Sequence, residues 1–372
     1  MSKHVSCEML LNCRDEKYSE AIRKFQGCPT IAVSPKGRIF MGWYAGGTRE
    51  PHMGNYNLLV YSDDDGKTWS EPVLIIPSSI ERNVHALDIQ LWISPEGKLY
   101  VFWVQNDALS CPKENICCYE DGFIETHWID GYIFGVDWAH AQWLSICEDP
   151  DADTLAFSEP RYLGIGFLRC KPTVLSDGRW FLCNYDQLTK SYGYTISTDQ
   201  GETYTRYYGA KKIDTPHDET MVYERKDGSI HMLARTGTSG YIAETVSVDG
   251  GKTWSETVNT DICNPNTRLY ISRTPSGRII LVNNDSTEKR VNMTVYLSDD
   301  DGETFLYKKC IYEDVSSYPD VDFYDGKIYL TFDHGRTREN EILLCKFTED
   351  DIINDKDIEV KIVSKPAIAR EE

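Results

Sequence analysis

A glycine turn followed by a short apolar run recurs six times along this 372-residue chain, and no other feature restricts its fold as strongly. Gly37 precedes Arg38-Ile-Phe-Met, Gly97 precedes Lys98-Leu-Tyr-Val, and Gly178 precedes Arg179-Trp-Phe-Leu. Gly228 leads into Ser229-Ile-His-Met, Gly277 into Arg278-Ile-Ile-Leu and Gly326 into Lys327-Ile-Tyr-Leu, so the turns stand 60, 81, 50, 49 and 49 residues apart. Self-similarity at such a period marks a repeat architecture. The clearest unit, residues 218–256, reads as three β-branched and apolar runs divided by Gly- and Asp-bearing turns, an antiparallel meander. Six four-stranded units of this kind make an all-β, six-bladed β-propeller, and no helical periodicity competes with that reading. A single domain over residues 1–372 is expected.

A second repeat runs through the same units. The octet Ser-x-Asp-x-Gly-x-Thr-aromatic occurs at Ser62–Trp69, Ser197–Tyr204, Ser247–Trp254 and Ser298–Phe305. A decayed fifth copy is expected at Glu148–Asp153, because Phe157-Ser-Glu-Pro160 echoes Trp69-Ser-Glu-Pro72. Asp and Ser side chains cap backbone N–H groups in tight turns, Gly supplies positive φ, and the aromatic packs beneath. The octets are therefore read as scaffolding. Val5–Leu11 reads as a strand that pairs with the last blade and removes its exposed edge. The 81-residue interval carries an insertion of roughly 30 residues over the usual ~50-residue blade. It is placed within 106–149, contains Trp128, Trp138 and Trp143, and either packs as a cover or walls a binding site.

Composition narrows the function. The formal net charge is −20, which argues against a nucleic-acid surface. The twelve cysteines include no Cys-x-x-Cys pair, so no metal is expected. Cys28, Cys183 and Cys345 lie in apolar runs and read as small buried hydrophobes. No run of about 18 apolar residues is present to span a membrane, and the first residues lack the basic-then-apolar pattern of a signal peptide. The expectation is a cytoplasmic protein with no cofactor, nucleic-acid partner or membrane partner.

In a propeller, residues at equivalent places in each repeat should converge at one end. The starts of the inner strands place Gln26, Asp88, Lys171, Glu219, Arg268 and Tyr318 there. The exits of the second strands add Arg49, Glu50, His52, Asp107, Asp186, Arg235, Asp285, Asp333 and Arg336. Singly, a charged residue at a strand end is usually solvated or salt-bridged. Recurrence across the repeats is what suggests a pocket for a polar ligand.

The octets, the six units and the ordered series Glu219, Arg235, Arg268, Tyr318 resemble the sialidase (neuraminidase) superfamily over roughly residues 25–347. The resemblance implies an exo-acting retaining glycosidase that removes a terminal, acidic sugar from an oligosaccharide or glycoconjugate, without a cofactor. It implies Tyr318 as nucleophile, Glu219 as its base, and Arg235 and Arg268 as two of three carboxylate-binding arginines. Arg49, Arg336, His52, Lys171 and Asp333 are further substrate-binding candidates. A phenol with a pKa near 10 becomes a usable nucleophile when an adjacent carboxylate takes its proton. Being neutral, it does not repel an anionic sugar, and sialidases are an exception to the two-carboxylate rule. Arginine suits the sugar carboxylate through paired hydrogen bonds.

Two positions depart from the family pattern. Phe25-Gln-Gly-Cys-Pro29 places Gln26 where the first arginine stands, with Arg23 three residues upstream. The loop 46–55 lacks the aspartate expected as acid/base, leaving Glu50, His52 or Asp88 for that role. An arabinanase- or rhamnosidase-like glycosidase and a non-catalytic carbohydrate-binding propeller are the alternatives.

Overall fold

The computed structural model describes residues 5–366 apart from 51, 80, 83, 108–139, 186–188, 214–216 and 337. Its fourth sheet shows how the repeat folds. Gly228 takes φ +84°, a left-handed conformation open to glycine at little cost, and closes a hairpin between Thr220–Glu224 and Ile230–Ala234. Tyr241–Ser247 and Val258–Cys263 pair on in order. Burial falls across the sheet, from a second strand that is wholly buried to a fourth that touches solvent throughout. That gradient explains why the second strands are the continuous apolar runs visible in the sequence.

The same plan recurs in six antiparallel sheets, and the fold is an all-β, six-bladed β-propeller. The first strands of the sheets are Phe25–Val33, Val84–Ile93, Phe167–Leu168 with Thr173–Val174, Thr220–Glu224, Tyr270–Arg273 and Ser316–Tyr324. The chain divides into two compact units. One comprises Met1–Phe167, Thr331–Leu343 and Ile362–Glu372, and the other Leu168–Leu330 and Leu344–Lys361. The first has a core around Phe40, Trp103 and Trp143, the second around Phe181, Tyr194 and Met232.

Three expectations change. The N-terminal strand, Leu10–Leu11, pairs with Leu74–Pro77 at the outer edge of the first sheet instead of with the last blade. The last blade has no vacancy, because Val360–Ser364 returns after a short helix, Glu349–Ile353, as its fourth strand. Trp143 is core, stacked on Trp103 at 6.4 Å, while Trp128, Trp138 and the rest of 108–139 lie outside the described residues. Asp88 does not begin its strand. It sits four residues in, at a bulge between Leu87 and Ile89.

The octets do what their chemistry suggests. Asp249 accepts from Thr253 Oγ1 at 2.6 Å and Thr253 N at 2.9 Å, while Gly251 N donates to Ser247 Oγ at 2.8 Å. The other three repeat that pattern. The decayed copy near 148–153 is a turn pinned differently, by Arg38 Nη1 on Pro150 O and Ala152 O at 3.0 and 2.7 Å.

Threonine hydrogen bonds hold the Asp249 and Asp300 carboxyls down at about 2. A depressed carboxylate contributes stability that is present above its unfolded value near 3.9 and is lost as pH falls through the folded one. The melting temperature should therefore stay flat above about pH 4 and fall between pH 4 and 2. Asp249→Asn should shallow that fall in a circular-dichroism melt series, and an unchanged slope would count against the assignment.

Among the described residues no helix is long and apolar enough to cross a membrane, no cluster of His, Cys, Asp and Glu could hold a metal, and nine cysteines are free thiols.

Candidate active site

Hairpin register brings Glu219 and Arg235 together. Thr220 pairs with Ala234, and Arg235 N donates to Glu219 O at 3.1 Å, so Glu219 and Arg235 are the next opposed pair. Opposed residues share a face of the sheet, and here the side chains meet, Arg235 Nη1 donating to Glu219 Oε2 at 2.7 Å. Arg169 Nε lies 3.0 Å from the other carboxylate oxygen. Arg169 sits in the break of the third sheet's first strand, where Pro172 has no N–H to continue the ladder.

All three groups are buried. Burial pushes the Glu219 carboxyl up, but the charges of Arg235 and Arg169, with Arg268 behind them, outweigh it and hold the group at about 2. Glu219 is thus a carboxylate at any ordinary pH. Burial works against the Arg235 charge as well, and Glu219 overcomes it, so Arg235 is raised above its usual value.

Tyr318 stands on a strained backbone. Its φ is +56° and Pro319 follows. A bulky side chain rarely adopts that region, and such outliers cost on the order of 1–3 kcal/mol and gather at functional sites. Two buried cations hold the segment. Arg268 Nη2 donates to Tyr318 O at 3.0 Å and Pro319 O at 2.9 Å, and its Nη1 donates to Arg169 O at 2.6 Å. Lys171 Nζ donates to Val321 O at 2.6 Å and lies 3.5 Å from Asp320 Oδ2.

The Tyr318 ring is faced by three guanidinium groups, Arg169 at 4.9 Å, Arg290 at 5.3 Å and Arg268 at 5.6 Å from its centroid. Arg235 Nη1 makes a long contact, 3.5 Å, with the phenol oxygen. Burial pushes the nearby Cys170 thiol up to about 12 and the Tyr185 phenol well above its usual value, so both stay protonated.

The structure therefore joins Glu219, Arg235, Arg268, Tyr318 and Lys171 in one unit. Arg268 and Lys171 grip backbone carbonyls, so they position Tyr318. Two residues escaped the sequence reading. Arg169 is two positions before Lys171, and the period-2 alternation of extended chain was the signal for it. Arg290 lies in the loop after Ile279–Asn284, five residues past Asp285. It is half-buried, and among the described residues only its Nη2 meets a protein acceptor, Asn266 O at 2.7 Å.

Of the remaining candidates, all but Asp186 and Asp285 belong to the other unit. Arg336 pairs with Glu50 and lies 3.7 Å from Asp333, whose Oδ2 accepts the Cys28 N–H at 2.8 Å. A side chain at Gly27 would meet Arg336 Nε at 2.7 Å, which explains the glycine there. Gln26 is fully buried, donating from Nε2 to Asn340 O at 2.7 Å and accepting from Trp43 Nε1 at 3.0 Å. Its amide serves the fold. His52 Nδ1 accepts the Gly54 N–H at 2.8 Å and shapes its own loop, on which Arg49 is exposed. Asp88 is buried at its bulge. Asp285 accepts from Tyr296 OH at 3.0 Å and pairs with Lys308 at 2.6 Å on outer strands of its sheet. Asp107 ends the strand Leu99–Asp107, and Asp186 lies outside the described residues.

Comparison with known proteins bears on the fold and the family. A model described as a BNR repeat-like domain matches residues 134–330, more than half of the chain, and one for the BNR/Asp-box repeat matches residues 60–71. The anhydrosialidase of Macrobdella decora is 35% identical over 81 residues, which is 22% of this chain and only 10% of that protein. The NanB sialidase of Streptococcus pneumoniae superposes over 92% of this chain and 71% of its own, with a TM-score of 0.67 and 17% identity. The intramolecular trans-sialidase of Ruminococcus gnavus superposes over 90% of this chain and 97% of its own, with a TM-score of 0.65 and 17% identity. The chain accordingly belongs to the BNR repeat-like family and carries Asp-box repeats on a six-bladed propeller.

Proposed function

We propose that this protein is a glycosidase of the sialidase kind, an exo-acting retaining hydrolase that removes a terminal, acidic sugar from an oligosaccharide or glycoconjugate. The observation that carries the reading is Tyr318 at φ +56°, faced by guanidinium groups and set beside the Glu219–Arg235 pair. A packed core tyrosine needs neither the strain nor the charges. The sialidases that share the fold support the same reading.

In this mechanism the Tyr318 oxygen attacks the anomeric carbon while its proton passes to Glu219 and the glycosidic oxygen departs with a proton from the acid/base residue. Water then attacks the glycosyl-tyrosine, giving a proton to that residue, and Glu219 returns its proton to Tyr318. Arg290 is the arginine best placed to receive the sugar carboxylate, since two of its nitrogens meet no acceptor among the described residues. The acid/base is Asp88 or Glu50.

A second reading, a propeller glycosidase of other specificity, is favoured by Gln26 and Arg268, which are both taken up by protein groups. A panel of 4-methylumbelliferyl glycosides (N-acetylneuraminide, glucuronide, arabinofuranoside, rhamnoside) decides between them. Release from an acidic sugar alone is expected, and release only from a neutral one would replace the first reading by the second. Asp88→Asn and Glu50→Gln identify the acid/base. The variant that loses turnover on a natural leaving group by about 10²-fold or more, yet keeps it on the activated one, names the residue.

A further inference from the structure

A cleft of about 580 Å³ in the first unit lies between the N-terminal segment and the first sheet, and none of the residues around Tyr318 line it. Its wall includes Tyr18, Glu20, Arg23, Trp69, Glu71 and Ser364. Arg23 is the anomaly. It is only 4% exposed, and its donors meet neutral oxygens: Nε donates to Tyr56 OH at 3.1 Å, Nη1 to Ser364 Oγ at 3.3 Å and Nη2 to Tyr18 O at 3.2 Å. Among the described residues no carboxylate pairs with it. Glu20 stops one hydroxyl short, accepting from Ser364 Oγ at 2.5 Å.

A buried cation without a counter-charge is costly. Five N–H groups belong to a guanidinium. With three of them used, one remains on each Nη, a pair that matches the two oxygens of a carboxylate.

Trp69 supplies a second, independent indication. In the octet of the fourth sheet, Trp254 is locked into the core, donating to Tyr194 OH at 3.2 Å and set edge-on to Phe181 and Tyr194. Trp69 occupies the equivalent place in the first octet, yet among the described residues its indole N–H has no acceptor and its ring pairs with no other aromatic, and it lines the cleft. An open indole face is what the apolar face of a sugar ring packs against. The acidic rim, with Glu20 and Glu71, disfavours phosphates and other polyanions while accepting hydroxyl hydrogens.

We propose that this cleft is a second, non-catalytic binding site for a monocarboxylated sugar, the carboxylate on Arg23 and the ring against Trp69. The proposal stands independently of the activity assigned to Tyr318. Indole N–H resonances report it in a titration of the full chain with sodium D-glucuronate, D-glucose serving as the neutral twin and Trp69→Phe identifying the signal. A saturable shift of the Trp69 signal is expected with glucuronate and not with glucose, with at least about tenfold weaker binding in Arg23→Gln, the loss of one charged hydrogen-bond pair. Ala21→Trp fills the cleft from an exposed position on its wall and keeps the test valid should Arg23→Gln fail to fold. No saturable shift, an equal response to glucose, or a response that survives Ala21→Trp would each overturn the proposal.

Discussion

Tyr318→Phe is expected to lower turnover of the accepted glycoside by about 10³-fold or more, the scale on which removing a covalent nucleophile acts. The fold should be untouched. The bonds that hold the residue run from Arg268 to the carbonyls of Tyr318 and Pro319, and the hydroxyl's contact with Arg235 is long, at 3.5 Å. The melting temperature of the variant should therefore match that of the parent, which separates lost chemistry from lost structure. A fluorinated sugar that slows the second step should leave a glycosyl adduct on Tyr318 in peptide mass spectra. Retained turnover in Tyr318→Phe, or an adduct on another residue, would remove Tyr318 from the mechanism.

The second large effect is at Glu219, where charge and volume can be separated. Glu219→Gln keeps an acceptor for Arg235 but no longer a carboxylate, and turnover should fall by about 10²–10⁴-fold. Glu219→Leu leaves Arg169 and Arg235 buried without their partner, and breaking a buried pair in this way costs about 3–5 kcal/mol. Urea unfolding of the three proteins at pH 7 measures it. Near-equal stability of Glu219→Leu and the parent would show that the two guanidinium groups find other partners, contrary to the geometry described. The pH dependence has a fixed sign. Glu219 is held at about 2 against an ordinary value near 4.3, so its contribution is complete above the ordinary value and disappears as pH falls through about 2.

These effects depend on residues that differ greatly in how visible they are in a sequence. The fold was legible because it is written in turn chemistry, which is local. Glycine at φ +84° in Gly228 and the Ser247-Asp249-Thr253 cap are set by atoms within a few residues of one another. The pairing of Glu219 with Arg235 was nearly as legible, because one hairpin of fixed register separates them. Arg169 was hidden. Its place follows from a strand interrupted before Pro172, and its meaning comes from a carboxylate fifty residues later in the chain. Arg290 was hidden because it stands in a loop that carries no repeat pattern.

Arg268 and Lys171 show the limit most clearly. The sequence could mark them as cations at strand starts, but which oxygens they reach is a matter of three-dimensional packing. Tertiary structure turned both toward the carbonyls of the Tyr318 segment, whose backbone is bent to positive φ ahead of a proline. By itself, the sequence determined the all-β repeat, the number of blades and the octet scaffolding, since each rests on contacts closed within a turn or a hairpin. Only the tertiary structure decided the partner of the N-terminal strand and which cations hold Tyr318, because those contacts join residues far apart in the chain.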